Sequence, residues 1–362
     1  MSLKIIVCYA SAGSGHSRAA QAVYHYLRKN YPELSSKLVD ILDYANLLFA
    51  NLYSHGYSLL VSHLTFIWAI GYHLTRVKCI CRFFNFICRL NCLAFSNLLI
   101  KEQPDVILAT HFFPAEVVAC LKRKKRLNSR LVMVVTDFGS HAFWILRQCD
   151  DYIVGSDSTR RRFIAQGINQ EKIKVMGIPI RSGFSTGRQK NKSAEEFTAL
   201  LITGSFGFSL IERVVEMLFS KIKLLVVCGR NQRLYKRLKR KGYSTARLFG
   251  FVEDISGLMR QADIIITKPG GSTIAEALAM ELPLIFIKGI PGQETENARI
   301  LEDYGCATIS KDLKSLRDAI INLKAHPETL DLMRTNIRKI RNPDATRKIC
   351  QYITKDVRSD ST

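Results

Sequence analysis

Short apolar runs rich in valine and isoleucine recur along the chain at 3–9 (LKIIVCY), 105–110 (DVILAT), 130–135 (RLVMVV) and 151–155 (DYIVG). Between several of them lie stretches, 17–29, 113–124 and 158–167, whose apolar positions return at helical spacing. Such alternation predicts βαβ units around a parallel sheet. A polar, basic stretch at 185–196 (STGRQKNKSAEE) breaks the pattern. It restarts with runs at 198–203 (TALLIT), 222–228 (IKLLVVC), 263–267 (DIIIT) and 283–287 (PLIFI). The expected architecture is α/β, with two doubly wound domains, residues 1–184 and 185–342, facing a cleft. A last helix at 343–355 is free to pack back on the first domain. Ligands of doubly wound sheets sit at the carboxyl ends of the strands, so that cleft is the expected site.

Residues 44–101 depart from the alternation. They contain no Asp or Glu over 58 residues and hold 11 of the chain's 34 aromatic residues, nearly twice their share by length. Their formal charges are Arg76, Lys78, Arg82, Arg89 and Lys101. A buried helical subdomain, a region lying in a membrane interface and a membrane span all fit such a block. The interfacial reading is preferred, because aromatics beside Lys and Arg suit the headgroup layer. His55, His63, His73 and scattered Asn and Ser interrupt any continuous span. Cys79, Cys81, Cys88 and Cys92 also lie here, but their spacing is not that of a zinc knuckle; buried or membrane-facing thiols are expected.

Composition narrows the classes. Apolar residues make up 47% of 362 positions, which excludes disorder over most of the length and a polytopic membrane protein. Lys and Arg number 53 against 31 acids, a net charge of +22. An anionic partner follows: nucleic acid, an acidic lipid surface or a phosphorylated substrate. The basic runs 122–130 (KRKKRLNSR) and 236–241 (KRLKRK) contribute, yet they are not organised as an RNA-binding motif. The ten cysteines mostly sit singly in apolar runs, so a reducing compartment is expected rather than a disulfide framework. The start, MSLKIIVCYA, reads as a strand and not as a signal peptide.

Two stretches carry candidate chemistry. The first run ends in Ser11-Ala12-Gly13-Ser14-Gly15-His16, ahead of a helical pattern from about Ser17. Gly13 and Gly15 allow a tight turn, the helix start offers N–H groups to negative charge, and His16 stands at the mouth of the cleft. A lone loop histidine is more often solvated than catalytic. In the second stretch, 263–301, a strand ends at Thr267, Lys268-Pro269-Gly270-Gly271 turn, and Ser272-Thr273 open a helix. That is a phosphate cradle of N–H groups, glycines and hydroxyls. Glu276 follows one turn on, where it can accept two ribose hydroxyls or simply face the helix dipole. The next strand, from Pro283, leads to Pro291-Gly292-Gln293-Glu294-Thr295-Glu296-Asn297, amides and carboxylates able to read sugar hydroxyls.

The stretch KPGGSTIAEAL…LP…PGQETENA resembles the donor half of inverting, two-domain (GT-B) glycosyltransferases. These are the monogalactosyldiacylglycerol synthases, the processive diacylglycerol glucosyltransferases and the related enzyme that adds N-acetylglucosamine to lipid I. GSGHSRAAQAV is similar to the GGGH-type acceptor loop of the diacylglycerol branch, with one glycine fewer before His16. VVTDFGSHAFW is similar to that branch's V-T-D…H…W element, through Thr136, Asp137, His141 and Trp144. Gly177-Ile178-Pro179-Ile180-Arg181 and Phe184 match its G-x-P-x-R element. Gly204-Ser205-Phe206-Gly207 stands at its glycine-rich loop and Gly229-Arg230-Asn231 at a later strand end.

The resemblance implies hexosyl transfer from UDP-galactose or UDP-glucose to diacylglycerol, with inversion, on the cytoplasmic face of a membrane bearing anionic lipids. N-acetylglucosaminyl transfer to a polyprenyl-linked peptidoglycan precursor is the alternative. A sugar-nucleotide 2-epimerase of the same fold is a third, to which the acid-free block adds nothing. It further implies His16 as the base, with Asp137 orienting an imidazole or serving as base itself, and Gly13, Gly15, His141 and Trp144 on the acceptor side. Gly204, Gly270, Gly271, Ser272 and Thr273 fall to the donor side around the diphosphate, Glu276 to the ribose, the backbone near Phe251 to uracil, and Gln293, Glu294 and Asn297 to the sugar. No metal, no other cofactor and no nucleic acid are implied.

Overall fold

The computed structural model describes residues 2–11, 13–62, 64–75, 80, 86–184, 196–202, 208–287 and 289–355. It falls into two compact units. The first comprises Met1–Arg181 with Ile290–Gln293 and Asp344–Thr362; the second comprises Ser182–Gly289 with Glu294–Pro343.

The first unit runs β1 (Lys4–Tyr9), α1 (Ser14–Asn30), β2 (Ser35–Asp40), α2 (Leu47–Ser62), α3 (Thr65–Leu74), α4 (Leu93–Glu102), β3 (Val106–Ala109), α5 (Phe112–Arg123), β4 (Arg130–Val134), β5 (Asp151–Val154), α6 (Asp157–Ala165) and β6 (Ile173–Val175). All strand pairs are parallel, in the order β2-β1-β3-β4-β5-β6. The chain leaves β1 for β2 on one side and returns to β3 on the other. The carboxyl ends of β1 and β3 therefore flank the switch point, where doubly wound sheets bind ligands. The central strands are apolar on both faces because helices cover both.

The second unit runs β7 (Thr198–Ile202), α7 (Phe208–Leu218), β8 (Lys223–Val227), α8 (Gln232–Lys241), β9 (Ala246–Phe249), α9 (Ser256–Gln261), β10 (Ile264–Thr267), α10 (Gly271–Ala279), β11 (Leu284–Phe286), α11 (Gln293–Asp303), β12 (Ala307–Ile309), α12 (Leu313–Ala325) and α13 (Pro327–Ile340). Its parallel sheet is ordered β12-β11-β10-β7-β8-β9, which puts the switch point between β7 and β10. Each unit is a doubly wound, Rossmann-like domain. The last helix, α14 (Ala345–Lys355), returns to the first unit. Its Ile349, Cys350 and Ile353 join Val23 and Leu27 of α1 in one core.

The acid-free block is split between two environments. Phe49, Ala50 and Tyr53 of α2 pack on the core beneath, against Phe113, while Cys88, Cys92, Phe95 and Leu99 are buried in it. Leu47, Leu48 and Leu52 of α2 and Phe66, Ile67 and Ile70 of α3 face outward, with Leu48 81% and Phe66 76% exposed. Among the described residues no helix is long and apolar enough to cross a membrane. Arg89 is turned inward onto Glu116 at 2.6 Å. Arg76, Lys78, Cys79, Cys81, Arg82, Phe83, Phe84 and the stretch 185–195 lie outside the described residues. The eight described cysteines are free thiols.

Candidate active site

In the first unit the site grows from the ends of β1 and β3. α1 begins at Ser14, three residues before the apolar pattern predicts, because the pattern registers only from the first buried positions, Ala19 and Ala20. His16 therefore stands in the first turn of a helix and not in a loop. The N-cap, Gly13, has an extended backbone (φ −170°) that any residue adopts, and a Cβ there would meet nothing within 4 Å. Gly15 lies in the same first turn, and Ala12 is outside the described residues.

His16 is half-buried and firmly held. Its Nδ1 lies 2.9 Å from the carbonyl oxygen of Thr110 and 2.8 Å from Thr136 Oγ1. A carbonyl only accepts, so Nδ1 carries the proton and Nε2 the lone pair. Thr110 Oγ1 donates back to the His16 carbonyl at 2.9 Å. Burial pushes the His16 imidazole below its ordinary pKa, while the negative charge of Asp137 and the Thr110 carbonyl oppose the fall. The positive end of α1 disfavours a charged ring further. The next residue on β3's end, His111, lies edge-on to His16, with ring centroids 4.6 Å apart at 88°.

Asp137 is buried one residue beyond Thr136. The hydrogen bonds of the His16 ring go to Thr110 and Thr136, so Asp137 acts on the imidazole through charge and not as a hydrogen-bonded orienter. Both its carboxylate oxygens accept from Gln293 Nε2, at 2.8 and 2.9 Å, in the short segment Ile290–Gln293 that belongs to the first unit. His141 Nδ1 accepts from Phe143 N and caps a short 3₁₀ turn (Ala142–Trp144). That turn brings the buried Trp144 ring to 6.2 Å from His16.

The second unit builds its site from backbone. β10 ends at Thr267, and Gly270 caps α10 with no side-chain cap, which leaves the first N–H groups, from Gly271, Ser272 and Thr273, pointing out of the helix start. Ser272 and Glu276 are buried; Glu276, the sixth residue of α10, stands beyond its first turn. The turn is braced from α11. Asn297, fully buried, donates its Nδ2 to the Pro269 carbonyl at 3.1 Å. Gly289 fits so closely that a Cβ would stand 2.9 Å from Pro269 Cδ and 3.0 Å from Glu294 Cβ. Lys268 is half-buried; burial pushes its ammonium down and the Glu294 carboxylate opposes the fall. Phe251 is exposed, with the Arg230 guanidinium 5.3 Å over its ring. Gly204 lies outside the described residues.

Sequence reading singled out neither Thr110 nor His111. The available signal was their place, directly after the β3 run. Among the described residues no group of three or more His, Cys, Asp or Glu is placed to hold a metal ion.

Residues 16–180 match the monogalactosyldiacylglycerol (MGDG) synthase family, and residues 198–348 match the glycosyltransferase family 28 C-terminal domain. A processive diacylglycerol beta-glucosyltransferase of Staphylococcus epidermidis (strain ATCC 12228 / FDA PCI 1200) is 30% identical over 96% of this chain and 91% of its own. One from Bacillus pumilus (strain SAFR-032) is 28% identical, covering 97% and 94%. Among solved structures, Acinetobacter baumannii MurG aligns with a TM-score of 0.61 over 97% of this chain and 99% of its own, at 17% identity, a likeness of fold. With both halves matched in order and a near-complete relative at this identity, the chain belongs to the family of glycosyltransferases that contains the processive diacylglycerol beta-glucosyltransferases.

Proposed function

We propose that the protein transfers glucose or galactose from a UDP-sugar to diacylglycerol, with inversion, on a membrane surface. The observation that carries this reading is the mounting of His16. A neutral imidazole is fixed with Nδ1–H on the Thr110 carbonyl and Nε2 left for proton transfer, at the switch point of the MGDG synthase half. In the proposed step the acceptor hydroxyl gives its proton to His16 Nε2 as its oxygen bonds to the sugar's anomeric carbon. The bond from that carbon to UDP breaks on the opposite face, and its electron pair leaves with the diphosphate. The imidazolium so formed is stabilised by the Asp137 charge.

On the donor side the backbone N–H groups at the start of α10 and the hydroxyls of Ser272 and Thr273, on a turn made by Gly270 and Gly271, take up the diphosphate's growing charge. Helix N–H groups supply this without a metal. Glu276 takes the ribose, the backbone at Phe251 the uracil, and Glu294 the sugar. Asn297 serves by bracing the turn, and Gln293 by holding Asp137. The names of the relatives support diacylglycerol as acceptor and glucose as one donor.

The outward apolar residues of α2 and α3 support docking on a bilayer, in our reading its cytoplasmic leaflet. Arg123–Arg126 and Lys236, Lys239 and Arg240 are exposed and suit anionic lipids. Lys122, Arg130, Arg237 and Lys241 are drawn into ion pairs with Asp150, Asp151, Glu212 and Glu216. Purified protein, diacylglycerol liposomes and each UDP-sugar in turn test the reading by mass spectrometry of the lipids. Hexosylated diacylglycerol from one donor or both is expected. Transfer from UDP-N-acetylglucosamine to a polyprenyl-linked precursor, with diacylglycerol untouched, would replace it.

A further inference from the structure

The dipeptide Thr110-His111 grips His16 in three ways. Thr110 holds Nδ1 through its carbonyl and the His16 backbone through its hydroxyl, and His111 lays its ring edge-on against the imidazole. The grip follows from strand register. β1 and β3 pair with Cys8 opposite Ala109, and Thr110 N continues the ladder onto the Cys8 carbonyl at 3.0 Å. The two residues after β3 are thereby delivered to the start of α1.

His111 is itself locked. It is the N-cap of α5, and its Nδ1 accepts from Phe113 N at 3.1 Å. A proton on Nδ1 would break that cap and put positive charge at the positive end of a helix. Phe112 packs against the His111 ring, with centroids 4.4 Å apart, and Phe112 stacks on Phe143 at 4.3 Å and 8°. This buried imidazole therefore stays neutral, with its proton on Nε2.

We propose that His111 is a positioning residue: a permanently neutral imidazole that packs His16 in place, with Nδ1–H on the Thr110 carbonyl, and keeps it neutral until the acceptor's proton reaches it. The inference rests on the reading of His16 as the base. The charged and titratable groups facing His16 are Asp137, which favours its protonated form, and His111. Removing the His111 ring takes away part of the cover that buries His16 while the Asp137 charge remains, so the His16 pKa rises.

His111→Asn tests this in the full-length protein, because Asn is as good an N-cap as any residue and preserves the α5 start. Nitrogen NMR of the histidine rings reads His16 directly. In the parent, His16 is expected as the Nδ1–H tautomer, titrating below the ordinary value of about 6.5. In His111→Asn its midpoint is expected to rise by half a unit or more. The acidic limb of kcat/KM on diacylglycerol liposomes is expected to move to higher pH by the same amount, with the UDP affinity unchanged. A midpoint that stays in place in a folded variant overturns the inference, as does an Nε2–H tautomer for His16 in the parent, which needs no variant. If the midpoint moves and the rate profile does not, the positioning role stands and the assignment of His16 as base fails.

Discussion

In the proposed reaction the chemistry at the ends of β1 and β3 is in side chains: His16 with its proton on Nδ1, His111 against it, and the charge of Asp137 acting on it. At the end of β10 it is in backbone, the uncapped N–H groups of α10, and the side chains around them serve as braces. Both places are switch points of six-stranded parallel sheets, so topology alone does not decide which material is used. The task does. A proton acceptor must have a lone pair and a tuned pKa, which only a titratable side chain supplies. A diphosphate needs fixed dipoles that require no reorganisation. The first site is expected to fail when one functional group is removed, and the second when its backbone is displaced.

The largest effect is expected at His16. On the proposed mechanism His16→Ala removes the general base and is expected to lower kcat by about 10²–10⁴-fold. UDP affinity, measured by calorimetry, is expected to stay at the parent value. Near-normal turnover would transfer the role to Asp137. On the same mechanism this site sets the pH dependence. Burial places the His16 pKa below its ordinary value, and the base acts only when neutral. The acidic limb of kcat/KM is thus expected below about pH 6.5, and a limb well above it would contradict the mounting described.

In the donor half, Glu276→Ala is expected to weaken UDP binding by about 1.5–3 kcal/mol, the range for a hydrogen bond to a charged group. Unchanged affinity would remove Glu276 from the ribose. Gly289→Ala sharpens the comparison, since Gly289 carries no functional group at all. Its new methyl must displace Pro269 or Glu294, and overpacking of that kind costs about 1–3 kcal/mol. A loss of UDP affinity is expected with little change in the pH profile. A shifted profile with intact affinity would mean that the two sites do not divide the work in this way. Turnover is expected to survive EDTA; loss with EDTA that Mg²⁺ or Mn²⁺ restores would assign charge stabilisation to a metal.

The legibility of the fold followed burial. Every strand predicted from an apolar run is a strand, and the four passed over, β2, β6, β9 and β12, are the edges of the two sheets. Edge strands are covered on one side or less, so SSKLVD, IKV, ARLF and ATI show no continuous apolar run. At the site, His16 and Asp137 stand out as candidates because their motifs are local in sequence. Thr110 and His111 do not, because their part depends on the pairing of β1 with β3, a contact between positions about 100 residues apart. The loop position of Gln293 suggests a sugar contact, while its bond to Asp137 spans 156 positions.

The smallest expected effect per residue tests a second contrast, between the two faces of the acid-free block. α2 is apolar on both sides: Phe49 and Tyr53 reach the core at Phe113, and Leu47, Leu48 and Leu52 point away from it. An exposed leucine that inserts partway into a bilayer recovers about half of the ~1.5–3 kcal/mol of full burial. Leu48→Ser and Phe66→Ser are each expected to reduce binding to vesicles about fivefold, and together by more than tenfold. Melting temperature and UDP affinity are expected to stay constant, since neither side chain is in the core. Phe49→Ser should do the reverse, lowering the melting temperature first. Arg89 belongs with the inward set because it pairs with Glu116, so Arg89→Glu should destabilise the fold through two facing carboxylates. Flotation of all four variants with phosphatidylglycerol–phosphatidylcholine vesicles separates the faces. If Leu48→Ser and Phe66→Ser float as well as the parent, the outward face of α2 and α3 is not the membrane surface.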